Sequence, residues 1–184
     1  MKLKTRNTIN ISCFGAIRPL KNHLNQAAAA IKFADQQGLS LNFHINASRV
    51  EQKGDSILKN LRSTFFYLKH HHLIEHEWMP HQQFIFLIQN QIDIGMQVSF
   101  TETYNIVAAD HVAQGVPVVA SAEIPFVSRI FCAQPNDVPG MVRALCVAHW
   151  GSTVGLQQIN RRLLDRHTQE SVRAWQKTLT ELFK

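Results

Sequence analysis

The chain lacks any uninterrupted apolar run approaching the ~18 residues of a membrane-crossing helix, so no transmembrane segment is expected. Its opening, Met1-Lys2-Leu3-Lys4-Thr5-Arg6, is charged, but no apolar stretch or small-residue cleavage site follows, so it does not read as a signal peptide. Cysteine is scarce and odd in number. Cys13, Cys132 and Cys146 are too few and too far apart for a disulfide framework, and they point to buried, reduced thiols in a cytoplasmic protein. There is no G-x-G-x-x-G and no Walker A sequence, which disfavours nicotinamide dinucleotides and P-loop hydrolysis. There is no G-x-S-x-G for a serine nucleophile. Zinc-finger spacing and the aromatic signature of an RNA-recognition motif are absent too, and no nucleic-acid partner is expected. Internal repeats and low-complexity segments are also missing.

What is present suits a folded domain. Of 184 residues, 45% are hydrophobic and only 17% charged, which excludes a disordered chain. The length predicts one domain, or a domain (1–150) followed by an Arg-rich helical tail (151–184). Nineteen Lys and Arg against thirteen Asp and Glu leave a formal charge of +6. The basic residues gather at the ends, at Lys2, Lys4 and Arg6 and at Arg161, Arg162, Arg166 and Arg173. Such a balance suits a polyanion or a site for a small diphosphate.

Two element types alternate along the chain. Residues 9–14, 39–45, 73–78, 92–100 and 117–120 read as strands, the last a compact apolar run of the kind buried in parallel sheets. Residues 22–37, 55–68, 81–90, 105–114 and 139–150 read as helices. In the first of these, Leu24, Ala27, Ala28, Ile31 and Ala34 have helical spacing and Gly38 closes the helix. Residues 155–184 form one long helix or two. Alternation on this scale predicts an α/β fold: a Rossmann-like parallel sheet of five to six strands, with helices on both faces and a C-terminal helical tail. Ligands of such sheets bind at the carboxyl ends of the strands, where strand order reverses.

Three sets of residues are candidates for chemistry. The first strand runs into Phe14-Gly15-Ala16-Ile17-Arg18-Pro19-Leu20-Lys21-Asn22. A turning glycine, a helix amino end, a guanidinium and an ammonium are the components of phosphate recognition. An ordinary loop with two solvated cations has the same composition. The second set is Ser99-Phe100-Thr101-Glu102-Thr103-Tyr104-Asn105-Ile106-Val107-Ala108-Ala109-Asp110. Asn105 can cap the helix, leaving the amides of Ile106 and Val107 for an anion. Asp110, in an otherwise apolar helix, could hold a ribose diol or sit on a solvent face. The third set is His70, His71, His72, His76 and His81, whose spacing does not make a closed zinc shell. A solvated loop is expected around them, with no metal site. Cys13 lies inside a strand and reads as packing.

The run from Phe100 to Asp110, followed by Gln114-Gly115-Val116-Pro117-Val118-Val119-Ala120-Ser121, resembles the donor-site signature of retaining GT-B glycosyltransferases of the group 1 type. That signature is an acid, any residue, an aromatic, a small residue, a second acid eight positions after the first, then G-x-P-V-V. Gly15 to Asn22 resembles the same family's phosphate-contacting loop, and the order and the intervening β-α units agree. The resemblance covers residues 9–150 and implies the nucleotide-sugar half of such an enzyme.

On that resemblance Arg18 and Lys21 neutralise the donor diphosphate and stabilise the departing nucleotide. Glu102 faces the transferred sugar beside Tyr104. Asn105, Ile106 and Val107 offer contacts at the helix amino end, and Asp110 holds the ribose. Glu77, Trp78 and Met79 line the base pocket. No metal or cofactor is implied, the nucleotide-diphosphate sugar being the substrate. Departures are Asp110 where the family has Glu, Asn105 where it has Gly, and a compact phosphate loop. The acceptor half is not represented, so the expectation is donor binding without efficient transfer. Residues 155–184 are left to pack on their own sheet, to self-associate, or to meet a separate acceptor domain. The other expectation is a non-catalytic interaction module that keeps the fold.

Overall fold

The computed structural model describes residues 7–183, so Lys2, Lys4 and Arg6 lie outside the described residues. Five strands form one sheet: β1 (Thr8–Cys13), β2 (Ser40–Asn46), β3 (His71–His76), β4 (Ile94–Gln97) and β5 (Val118–Ala120). All pairings are parallel and the order is β3-β2-β1-β4-β5. Between and after them come α1 (His23–Gln37), α2 (Asp55–Phe66), α3 (His81–Gln91), α4 (Ile106–Ala113), α5 (Val138–Ser152) and α6 (Gln158–Leu182). One group of helices packs α1 against α2 and α5, and the other packs α4 against α3 and α6. This is the expected α/β architecture, with helices covering both faces of the sheet.

The central strands are β-branched and apolar because both their faces are covered. Ile11, Leu41, Phe43, Ile45, Met96, Val118, Val119 and Ala120 are fully buried. A second, smaller apolar cluster of Phe14, Leu87, Ile88, Ile92 and Val116 lies under α3 and α4. Gly38 closes α1 at φ +65°, its amide bonding the carbonyls of Ala34 and Asp35.

Three expectations need correction. The buried face of α1 carries His23, Gln26, Ala27, Ala30, Phe33 and Ala34, while Leu24 and Ala28 face outward. Phe33 is the largest of these side chains, and burying it rotates the helix away from the Leu24 face. β3 starts at His71, not Leu73, and ends at His76. The parallel register with β2 pairs Leu41 with His71. The His71 ring is fixed between the Leu41 amide (3.2 Å) and the Asp35 carboxylate (2.8 Å). The histidine run therefore opens a strand instead of a solvated loop. β4 is four residues long, so residues 98–105 form a loop.

His111 shows how closely α4 is pressed on the sheet. Its Nδ1 faces the Val107 carbonyl at 2.7 Å and must donate, so Nε2 (2.8 Å from Ser12 Oγ) accepts the hydroxyl proton. The ring lies over Gly95, where an added Cβ would come within 2.7 Å of His111 Cδ2. Gly95→Ala is therefore expected to destabilise the fold by about 1–3 kcal/mol. Denaturant melts of the two proteins test this, and equal midpoints would mean that the ring has room to move.

Candidate functional site

Chain connections leave β1 toward β2 on one side and β4 toward β5 on the other, so strand order reverses between β1 and β4. The loops after these two strands, residues 14–22 and 98–105, face each other there, joined by the Phe100 amide donating to the Leu20 carbonyl at 2.9 Å.

Side-chain amides organise this junction. Gln97 donates to the Phe14 carbonyl (3.0 Å) and accepts from Asn105 Nδ2 (2.9 Å). Asn46 accepts from the Gly15 amide at 2.9 Å. Asn22 donates to the carbonyls of Val98 (3.0 Å) and Pro135 (2.7 Å). Gln26 accepts from the Val98 amide (2.9 Å) and donates to the Lys21 carbonyl (2.7 Å). Asn105 is the N-cap of α4, accepting from the Ala108 amide at 2.9 Å, with φ at +58°. The first amides of α4, at Ile106 and Val107, thus point outward at the positive end of the helix.

Beside this junction lies a cavity of about 250 Å³, lined by Gly15, Asn46, Trp78, Met79, His81, Phe84, Ile106, Val107 and Asp110. Phe84 forms its floor, edge-on to Phe14 at 5.1 Å between centroids. Trp78 stands on the rim. Its amide donates to Ser48 Oγ (2.7 Å), and the Arg49 guanidinium lies 4.4 Å above its ring. A larger groove of about 440 Å³, lined in part by Arg129, Asp137 and Arg143, is shallower and lies beyond β5. We take the smaller cavity as the site because it sits where strand order reverses.

Of the residues singled out in the sequence, Gly15, Trp78, Met79, Ile106, Val107 and Asp110 converge on this cavity. Glu77 is exposed and is not part of its lining. Tyr104 turns away, packing on Phe126 (5.2 Å) and His167 (5.8 Å). The two cations part company. Lys21 is buried behind Gly15, with its Cε 3.8 Å from where a Cβ on that glycine would stand, and is paired with Glu102 at 2.5 Å. The side chains of Lys21 and Glu102 are only 11% and 8% exposed. Arg18 reaches toward Glu51, 4.0 Å away, while its Nε is buried without a hydrogen-bond partner. Asp110 faces His81, with Nε2 to Oδ1 at 3.1 Å. Asn46, Gln97 and Phe84 carried no motif, and His81 was weighed only as a metal ligand in the histidine set. Their signal is position: Asn46 and Gln97 are polar residues at strand ends, and His81 and Phe84 lie three residues apart at the start of a helix.

The histidines scatter. His71 bonds Asp35, His76 faces His44 at 2.9 Å, and His81 faces Asp110. Burial pushes the Cys13 thiol up to about 12, with Glu102 adding to the rise and Lys21 opposing it. That thiol is packing, as expected. The three cysteines are free. Among the described residues no helix is long and apolar enough to cross a membrane.

No protein-family model matches this chain, and no curated protein matches it in sequence. Solved structures do match in fold. One is a trehalose-6-phosphate synthase studied for glycosyl transfer with retention, 15% identical, with a TM-score of 0.74 over 96% of this chain and 45% of that one. An E. coli trehalose-6-phosphate protein bound with UDP-2-fluoro glucose is 17% identical, with a TM-score of 0.71 over 95% and 44%. A UDP-forming trehalose-phosphate synthase of Burkholderia xenovorans, in complex with glucose-6-phosphate, is 14% identical, with a TM-score of 0.72 over 95% and 44%. The chain has the Rossmann-like fold of a GT-B half, consistent with the C-terminal half, and spans less than half the length of these proteins.

Neutral buried imidazoles make the fold around the site acid-sensitive. Burial lowers His23, His44 and His111 to about 4; the Lys21 ammonium adds to the effect on His23, and His76 to that on His44. Below pH 6.5 the unfolded chain takes up these protons and the folded one resists them. Stability is then present above 6.5 and falls as pH drops toward 4, by about 1.4 kcal/mol per pH unit for each histidine. Thermal melts should be flat from pH 8 to 7 and decline steadily from 6.5 to 4. A flat profile down to pH 4.5 would show that these rings are protonated in the native state.

Proposed function

We propose that this chain is the donor-binding half of a retaining glycosyltransferase, taking a nucleotide-diphosphate sugar at the cavity between Gly15 and the first turns of α3 and α4. The observation that carries the reading is the convergence there of Gly15, the amino end of α4 and Asp110, in a fold shared with a structure bound with UDP-2-fluoro glucose. The base would stack on Trp78 and Met79 over Phe84, and the ribose would reach Asp110. The diphosphate would lie across Gly15, where the chain has no side chain to exclude it. Arg18 and Lys21 would neutralise the charge that develops as the nucleotide leaves. The transferred sugar would face Glu102. Transfer also needs an acceptor held against the donor, and that role would fall to a separate domain or partner, with 151–184 as the arm that meets it. Free thiols and the absence of a membrane-length apolar helix among the described residues support a cytoplasmic setting.

A second reading keeps the fold as a non-catalytic module. It is favoured by the ligand-facing charges being engaged internally, Lys21 with Glu102 and Asp110 with His81. Nucleotide binding separates the two.

Calorimetry with UDP, GDP, ADP and UDP-glucose should show one diphosphate that binds, UDP being the first candidate. At 100 times its dissociation constant it should stabilise the chain by about 2.7 kcal/mol. Arg18→Ala and Asp110→Ala should each weaken it tenfold or more. No binding by any of the four at millimolar concentration would favour the non-catalytic module. Glu102 competes with the diphosphate for Lys21, so Glu102→Gln should bind UDP several-fold more tightly than wild type without the same gain for UDP-glucose. Unchanged UDP affinity would show that Lys21 does not meet the phosphate.

A further inference from the structure

The cavity has few polar side chains, and one of the bonds they make is unexplained by the fold. His81 is the first residue of α3, and its side chain is two-thirds exposed. It leaves its own helix and meets Asp110 on the second turn of α4, Nε2 to Oδ1 at 3.1 Å. Asn46, the other polar lining side chain near Gly15, already accepts from the Gly15 amide. Asp110, held by His81, is therefore the carboxylate left to meet a ligand's hydroxyls.

The placement of both residues is set by the helices beneath them. Pro80 caps α3, its carbonyl accepting from the amides of Gln83 (3.0 Å) and Phe84 (3.1 Å). His81 and Phe84, three residues apart, then share one face of α3. On α4, Ile106, Val107 and Asp110 share the facing stripe in the same way. Phe84 is held by Phe14 and lies 6.4 Å from the His111 ring, so the two helices keep a fixed spacing at the cavity floor. An aspartate is one methylene shorter than a glutamate, and at the wall of this cavity its carboxylate is free to turn about two side-chain bonds. An N–H donor from the opposite wall fixes that turn. With one oxygen taken by His81, the second is left for a hydroxyl.

We propose that His81 is a positioning residue of the nucleotide site: it aims the short Asp110 carboxylate across the cavity, so that the pair reads the 2′,3′-diol of a ribonucleoside diphosphate. This rests on the nucleotide-binding reading above. Asp110 accepts from a ribose hydroxyl, and His81 acts through Asp110 without touching the base or the phosphates. The consequence is selectivity for ribose over deoxyribose that depends on a residue of α3, a helix outside both sequence motifs.

The test compares UDP with 2′-deoxy-UDP by calorimetry on the full chain. Wild type should prefer UDP by tenfold or more, and Asp110→Ala should abolish the preference. His81→Ala should reduce it to about threefold or less, and His81→Gln, which keeps an N–H donor, should restore most of it. A surface histidine of purely structural value would change the melting temperature and leave the ratio alone. Here the ratio should move while the melting temperature stays within about 2 °C of wild type. The His81→Ala change should also have no further effect in the Asp110→Ala background. A wild-type preference that survives His81→Ala overturns the positioning role and leaves nucleotide binding standing. A wild type that binds neither nucleotide overturns both.

Discussion

Where strand order reverses, the carboxyl ends of β1 and β4 diverge into separate loops and lose the regular pairing that satisfies their backbone groups. These ends are buried, and an unpaired amide or carbonyl there costs about 1–3 kcal/mol. Side-chain amides meet the need. Gln97, Asn46, Asn22 and Gln26 each hold a backbone group of a neighbouring loop, and Asn105 both caps α4 and binds Gln97. A carboxamide offers donor and acceptor together without charge, so it can be buried at low cost once both ends are bonded. The positive φ values of Asn22 and Asn105 follow, because their backbones must turn to bring those side chains inward. Gly15, at φ +114°, turns with them.

That uncharged frame sets the context for the charged groups. Lys21 and Glu102 are buried on opposite sides of the junction and neutralise each other. A buried pair of this kind gains little net stability, because desolvation offsets most of the attraction. Its consequence is chemical instead: on the proposed donor-binding reading, an anion entering beside Gly15 would have to displace Glu102 from Lys21. Arg18 differs. It is partly exposed, its link to Glu51 is long, and its buried Nε is without a hydrogen-bond partner, so an anion would reach it at less cost in broken contacts.

The parts of the structure legible in the sequence are those fixed by local rules. The apolar run 117–120 is a buried strand, Asn105 is the cap of α4, and Gly38 ends α1. Gly15, at the end of β1, and Asp110, an acid within apolar α4, were picked out in the sequence, and both line the cavity. What stayed hidden depends on pairing across the fold. The register of β3 is set by Leu41 meeting His71, and no local pattern in an alternating His-rich stretch favours that start over one two residues later. The orientation of α1 is set by Phe33 and by Gln26, a polar residue that faces inward because the backbone of Val98 and Lys21 needs it. Glu77 and Tyr104 stand in the right segments, but a neighbouring element decides where their side chains point.

Tyr104 shows what such a decision does. It sits two residues from Glu102 in the loop before α4, and its ring packs on Phe126 and on His167 of α6. α6 is also fixed where Asn160 accepts from the Ser128 amide at 2.8 Å and where Leu164 joins the core. Beyond that turn the helix carries Val172, Trp175, Leu179 and Leu182, all exposed. An isolated helix of about 12–15 residues is marginal in water, so this distal half draws its order from the packed half behind it. The loop that holds Glu102 against Lys21 therefore also holds the base of an arm whose apolar stripe is uncovered. The His167 ring meets Phe126 as well as Tyr104, and Tyr104 and Glu102 share one short loop. α6 also packs on α4, where Arg161 donates to the Ala113 carbonyl, so the arm is tied to the elements around the cavity at more than one point.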